Sequence, residues 1–61
     1  MMEMKLKCIM ENGVDLTLGK IYECLCIDEK RSWYGITDDS GDSYWYDKDL
    51  FEVVEDSGKK D

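Results

Sequence analysis

An all-β fold is predicted, a five-stranded barrel with one short helical turn before its last strand. Three observations carry that expectation. No segment sustains an apolar period near 3.6 over ten or more residues. The apolar and aromatic residues fall instead into short runs, separated by clusters of Asp, Asn, Ser and Gly. With 61 residues in all, short strands must curl around a small core to cover it from every side.

The elements follow in order. Lys5-Leu6-Lys7-Cys8-Ile9-Met10 alternates polar and apolar residues, and period two predicts a half-buried strand with Leu6, Cys8 and Met10 inward. Glu11-Asn12-Gly13 is a turn, because Asn and Gly both tolerate positive φ. Leu16-Thr17-Leu18-Gly19-Lys20 leads into Ile21–Ile27, β-branched and aromatic enough to be the central strand. Asp28–Ser32 is a polar loop, Trp33–Thr37 a third strand, Asp38–Asp42 a turn and Ser43–Tyr46 a fourth strand. Asp47–Leu50 makes a single helical turn, and Phe51–Val54 closes the set. One domain is expected over residues 1–55, with a flexible polar tail over 56–61.

Size and charge narrow the function. A chain this short buries only about 60% of the surface its unfolded form exposes, which leaves little room for an enclosed active site. The formal charge is −7, and most of it sits in residues 28–56, where acids far outnumber Lys30, Arg31 and Lys48. That field repels phosphate backbones and suits a protein partner with a basic surface, so direct nucleic-acid binding is not expected. No apolar run approaches the ~20 residues of a membrane span, and Met1-Met2-Glu3-Met4-Lys5 lacks a signal peptide's apolar core. Three cysteines are too few and too odd for a disulfide framework. A cytoplasmic protein is expected. The sequence has no histidine, and no serine stands beside a partner base, so neither catalysis nor a cofactor is expected.

Three groups of residues could bind. Trp33 and Trp45 share one face of a hairpin if Asp39-Ser40-Gly41 forms a three-residue loop with Gly41 left-handed. Asp38 then faces Asp42, Ile36 faces Tyr44, and Gly35 opposite Trp45 leaves a shallow notch beside the indoles. Tyr34, Ile36, Tyr44 and Tyr46 share the inner face. Exposed aromatics of this kind anchor partners, although cross-strand packing alone also places them there. The acids Asp38, Asp39, Asp42, Asp47 and Asp49 gather at the hairpin tip and the helical turn. They could meet a basic protein surface or a hard cation, or they could simply be solvated turn residues. Cys24 and Cys26 lie two apart on a strand and would share a face with each other, with Cys8 inward on the neighbouring strand. Three thiols could hold a soft metal, but core packing explains Cys8 and Cys24 more simply.

A Leu-x-Leu-Gly-Lys entry at Leu16–Lys20, a long strand, a polar loop, Trp33-Tyr34, a glycine-containing hairpin, one helical turn and a short last strand together resemble the SH3-like barrel from about Leu16 to Glu55. The stretch Thr37–Tyr46, followed by a charged turn ending in Leu50-Phe51-Glu52, is similar to small SH3-like proteins of Gram-positive phages and prophages. In SH3 domains of the proline-binding kind, Trp33 would match the ligand-gripping tryptophan. Asp47, however, stands where the proline is expected and Leu50 where the tyrosine is. The first loop is also short, so proline-rich peptides are not the expected ligand. The resemblance implies a non-enzymatic module that binds a host or phage protein through Trp33, Trp45 and the neighbouring acids. The alternative is an acidic stoichiometric inhibitor of a host nucleic-acid-handling or defence enzyme, of the anti-restriction or anti-CRISPR type. A third class is a structural role, such as self-assembly or joining a larger phage particle.

Overall fold

The computed structural model describes residues 4–56. It contains five strands, β1 (Met4–Cys8), β2 (Ile21–Asp28), β3 (Trp33–Thr37), β4 (Ser43–Asp47) and β5 (Phe51–Asp56), with a 3-10 turn at Lys48–Leu50. Every pairing is antiparallel, and the order β4-β3-β2-β1-β5 makes one sheet with β4 and β5 at its edges. The described residues form no α-helix, and none of their helices is long and apolar enough to cross a membrane. The all-β expectation and the single helical turn before the last strand hold.

The sheet is curled. Tyr34 on β3 and Phe51 on β5 hold their ring centroids 5.9 Å apart, edge to face, although β2 and β1 lie between those strands. Across a flat sheet, three strand spacings would separate them by about 14 Å. The curl brings Leu6 and Cys8 of β1, Tyr22 of β2, Tyr34 and Ile36 of β3 and Phe51 of β5 into one core. Leu16, from the connection between β1 and β2, joins them. Leu6, Cys8 and Ile36 have no exposed surface at all.

The first strand is shorter than its alternation implies. Met10, expected inward, is 49% exposed, because β1 stops at Cys8. Beyond it the Asn12 side-chain amide donates to the Met10 carbonyl (3.0 Å), and the Asn12 carbonyl oxygen accepts from Val14 N (3.1 Å). Asn12 therefore turns the chain through its side chain, and neither it nor Gly13 adopts positive φ. The left-handed residue is Gly19, at φ +89°, whose N–H donates to the Cys8 carbonyl (2.7 Å) where the loop returns to the sheet. At the other end, β5 runs to Asp56, opposite Met4, and so takes in the residue at which the tail was expected to start. Residues 57–61 of that tail lie outside the described residues.

Two bulges interrupt the ladders. Val54 is the extra residue where β5 crosses Lys5 and Leu6, and Leu25 is the extra residue between Cys24, opposite Ile36, and Cys26, opposite Gly35. Ile36 and Gly35 point to opposite faces, and so must their partners. The two cysteines expected on one face are divided by the bulge. Cys24 packs at the margin of the core, while Cys26 is exposed.

A core of this size supports only about 3–5 kcal/mol of net stability. Truncating Leu6 to alanine removes about 2–5 kcal/mol, so Leu6→Ala should be largely unfolded at room temperature. Ile36→Val should cost about 0.5–1.5 kcal/mol and stay folded. Urea titration followed by tryptophan fluorescence reads both, and a fully cooperative Leu6→Ala transition would contradict this account.

Candidate functional site

The hairpin of β3 and β4 sets the geometry of the site. Gly41 sits at φ +91°, its N–H donates to the Asp38 carbonyl (3.0 Å), and Asp38 N donates to the Asp42 carbonyl (3.0 Å). This is a three-residue turn with a left-handed glycine. The register follows from it, with Ile36 opposite Tyr44, Gly35 opposite Trp45 and Trp33 opposite Asp47. Trp33, Gly35 and Thr37 therefore share the outer face with Ser43, Trp45 and Asp47.

The two indoles lie side by side on that face, with centroids 6.3 Å apart and planes tilted by 36°. Trp45 is 46% exposed and Trp33 half-buried. The Arg31 guanidinium stacks 5.5 Å from the Trp33 ring and is held there by Asp28, which accepts from Arg31 Nη1 (2.9 Å) and Arg31 N (3.1 Å). The backbone N–H of Arg31 first, and its guanidinium second, hold the Asp28 carboxyl below its ordinary value.

The notch expected above Gly35 is occupied. A Cβ on Gly35 would stand 2.7 Å from Cys26 Sγ and 3.3 Å from Trp45 Cζ3. The thiol and the indole edge roof the glycine, and the absence of a side chain there is what lets them close over it. A depression of about 150 Å³ is lined by Leu25, Cys26, Gly35, Ser43, Tyr44 and Trp45, beside one indole rather than two. Tyr44 also departs from expectation. It points to the inner side by register, yet it is 55% exposed, because β4 is an edge strand with no neighbouring strand to cover it.

The acids divide into two sets. Asp38 is buried and accepts from the Ser40 hydroxyl, from Ser40 N (2.9 Å) and from the Tyr46 hydroxyl. The Ser40 hydroxyl, followed by that of Tyr46, holds the Asp38 carboxyl below its usual range. Burial, reinforced by the Asp38 hydrogen bond, raises Tyr46. Asp39 accepts from Lys20 Nζ (2.7 Å), Thr17 Oγ1 (2.7 Å) and the Tyr22 hydroxyl (2.9 Å), while its own N–H donates to the Asp15 carbonyl (2.9 Å). Lys20 leads in lowering the Asp39 carboxyl. Asp39 ties the hairpin tip to the loop between β1 and β2, while Asp38 braces the hairpin from within, so neither is free to meet a partner. Asp42, Asp47 and Asp49 stay exposed. Asp47 caps the 3-10 turn by accepting from Asp49 N (2.9 Å), and it stands on the same face as the tryptophans.

The thiols do not converge. Cys8 is buried and donates to the Met10 carbonyl, and Cys24 donates to the Cys26 carbonyl (3.4 Å) with its pKa raised chiefly by burial. Among the described residues, no three His, Cys, Asp or Glu side chains gather in a way that could hold a metal ion. The burial of Asp38 had one signal in the sequence, a serine two residues on, which is the spacing of an Asx turn. Its hydrogen bond to Tyr46 had none.

Two outcomes test this geometry. Gly35→Ala should lose about 1–3 kcal/mol through overpacking, and adding Cys26→Ala should recover most of it, as read by thermal unfolding. No recovery would mean that Cys26 does not roof the glycine. Asp38 and Asp39 both titrate lower in the folded chain than at the ordinary value of 3.8. Their ionised forms therefore stabilise the fold above about that pH, and the contribution fades as the pH falls below it towards their folded values. Urea midpoints taken from neutral pH to about pH 2 should decline in the parent, while Asp38→Asn should start lower and decline less. Comparison of the chain with protein-family models, curated proteins and solved structures finds no match.

Proposed function

We propose that this chain is a non-enzymatic, SH3-like binding module of the phage or prophage type. It docks on a host or phage protein, in the cytoplasm of a bacterial host, through the outer face of the β3–β4 hairpin. Trp33 and Trp45 are the apolar anchors, and Asp42, Asp47 and Asp49 form an acidic rim suited to a basic partner surface. The observation that carries the reading is the pair of adjacent indoles on the solvent side of the sheet, one of them nearly half exposed. Large aromatics left on a face that contributes nothing to the core are typical of docking surfaces.

The barrel part of the reading is supported by the strand order, with β5 beside β1 and the 3-10 turn just before it, and by the curl that brings Tyr34 to Phe51. The phage-type part rests on the sequence resemblance alone. The acidic-inhibitor alternative needs a continuous anionic face, and it is weakened because Asp38 and Asp39 are already bonded within the fold.

A pull-down from nuclease-treated bacterial lysate tests the proposal, with bound proteins identified by mass spectrometry. The parent chain runs beside Trp33→Ala/Trp45→Ala and Asp42→Asn/Asp47→Asn/Asp49→Asn. The expected result is a specific partner lost with the tryptophans, weakened with the aspartates and retained as salt is raised. A nucleic-acid enzyme lost with the aspartates alone and released steeply by salt would favour the inhibitor. Partners indifferent to both variants would refute a docking role for this face.

A further inference from the structure

The open edge of β4 presents a regular, unused set of backbone groups. Asp38 N donates to the Asp42 carbonyl and Lys48 N to the Ser32 carbonyl, both at 3.0 Å. Antiparallel pairs alternate between bonded and non-bonded, so Ile36–Tyr44 and Tyr34–Tyr46 are the bonded pairs between these two positions. The N–H and C=O groups of Ser43, Trp45 and Asp47 therefore point away from β3. Among the described residues, nothing in the fold meets them. The other edge differs. β5 is broken by the bulge at Val54, a device that discourages strand pairing, whereas β4 is unbroken over its five residues.

The surroundings of this edge indicate what would add to it. On the outer side stand Trp45 and Asp47. Along the same edge lies an open depression of about 500 Å³ whose walls include Val14, Asp15, Tyr44, Trp45 and Tyr46. Asp42 and Asp47 bracket the strand, and the chain as a whole carries −7. A second copy would bring the same net charge of −7 to this edge, so two chains repel each other there. A lysine- or arginine-bearing strand would place its cations beside Asp47 and the Trp45 ring, where charge and the π face both attract them.

We propose that β4 accepts an extended, basic segment of a partner protein as a sixth strand. Backbone hydrogen bonds would form to Ser43, Trp45 and Asp47, with basic side chains over the outer face and apolar ones over Tyr44 and Tyr46. This inference rests on the reading of the Trp33/Trp45 face as the docking surface and names the form and charge of what docks.

The test uses the full chain, labelled with nitrogen-15, and a peptide alternating lysine with valine over nine residues. A copy N-methylated at every internal amide keeps the charge and the side chains but removes the donors. The unmodified peptide should shift the amide signals of Ser43, Trp45 and Asp47 and slow their hydrogen exchange. The methylated copy should bind at least about tenfold more weakly, as expected when several backbone bonds are lost together. Shifted indole signals with unchanged exchange at those three amides, or equal affinity for both peptides, would overturn strand addition and leave the aromatic docking face standing. No binding of the unmodified peptide would also overturn the inference, while the docking reading is judged separately by the tryptophan pull-down.

Discussion

Gly41 holds φ at +91°, in a region that side chains rarely enter, and the turn it completes has three residues rather than two. With strand side chains alternating at period two, that one residue of turn length decides which way every side chain of β4 points. It puts Trp45 outward with Trp33, and it turns Tyr46 inward so that its hydroxyl reaches Asp38. It also directs the Ser43, Trp45 and Asp47 backbone groups to the open edge. A two-residue turn would reverse all of this, burying the indole and exposing the tyrosine. The docking face and the acid network at the hairpin tip are consequences of one backbone conformation.

The second constraint is area. Among the described residues, seven apolar side chains make up the buried core, and many others, Ile21, Leu25, Val53 and Val54 among them, remain substantially exposed. Polar fastening therefore carries more of the tertiary structure than it would in a larger domain. Asp39 joins Thr17, Lys20 and Tyr22, and Asp38 joins Ser40 and Tyr46. The Asp39 bonds draw the hairpin tip down onto the β1–β2 loop, which carries the core residue Leu16, while those of Asp38 brace the hairpin itself. Acids that composition alone assigns to solubility or to a partner are taken up inside the fold, Asp39 between two loops and Asp38 within the hairpin, because a carboxylate near several donors is stabilised in its charged form.

The acidic character of the outer surface therefore rests on fewer groups than the net charge implies. Asp42, Asp47 and Asp49 remain exposed, and Asp47 stands on the face of the two indoles. That combination of apolar anchors, a charged rim and free backbone groups favours a partner that brings cations and an extended chain.

Much of the fold was legible in order along the chain. Short apolar runs bounded by Asp, Gly and Ser gave the strands, Gly41 gave the hairpin turn, and Asp47–Leu50 gave the helical turn, because each of these depends on residues close together in sequence. Trp33 and Trp45 on a shared face followed from the same local rule. What only the tertiary structure decided are the contacts between distant segments. The bulge at Leu25, which sends Cys24 and Cys26 to opposite faces and lets a thiol roof Gly35, arises from how β2 must bend around the core. The capture of Asp39 by Lys20 depends on how the hairpin tip meets the β1–β2 loop, and the exposure of Tyr44 depends on β4 taking the edge of the sheet. Turn chemistry is written in neighbouring residues, whereas strand order and curvature emerge only when the whole chain closes on its core.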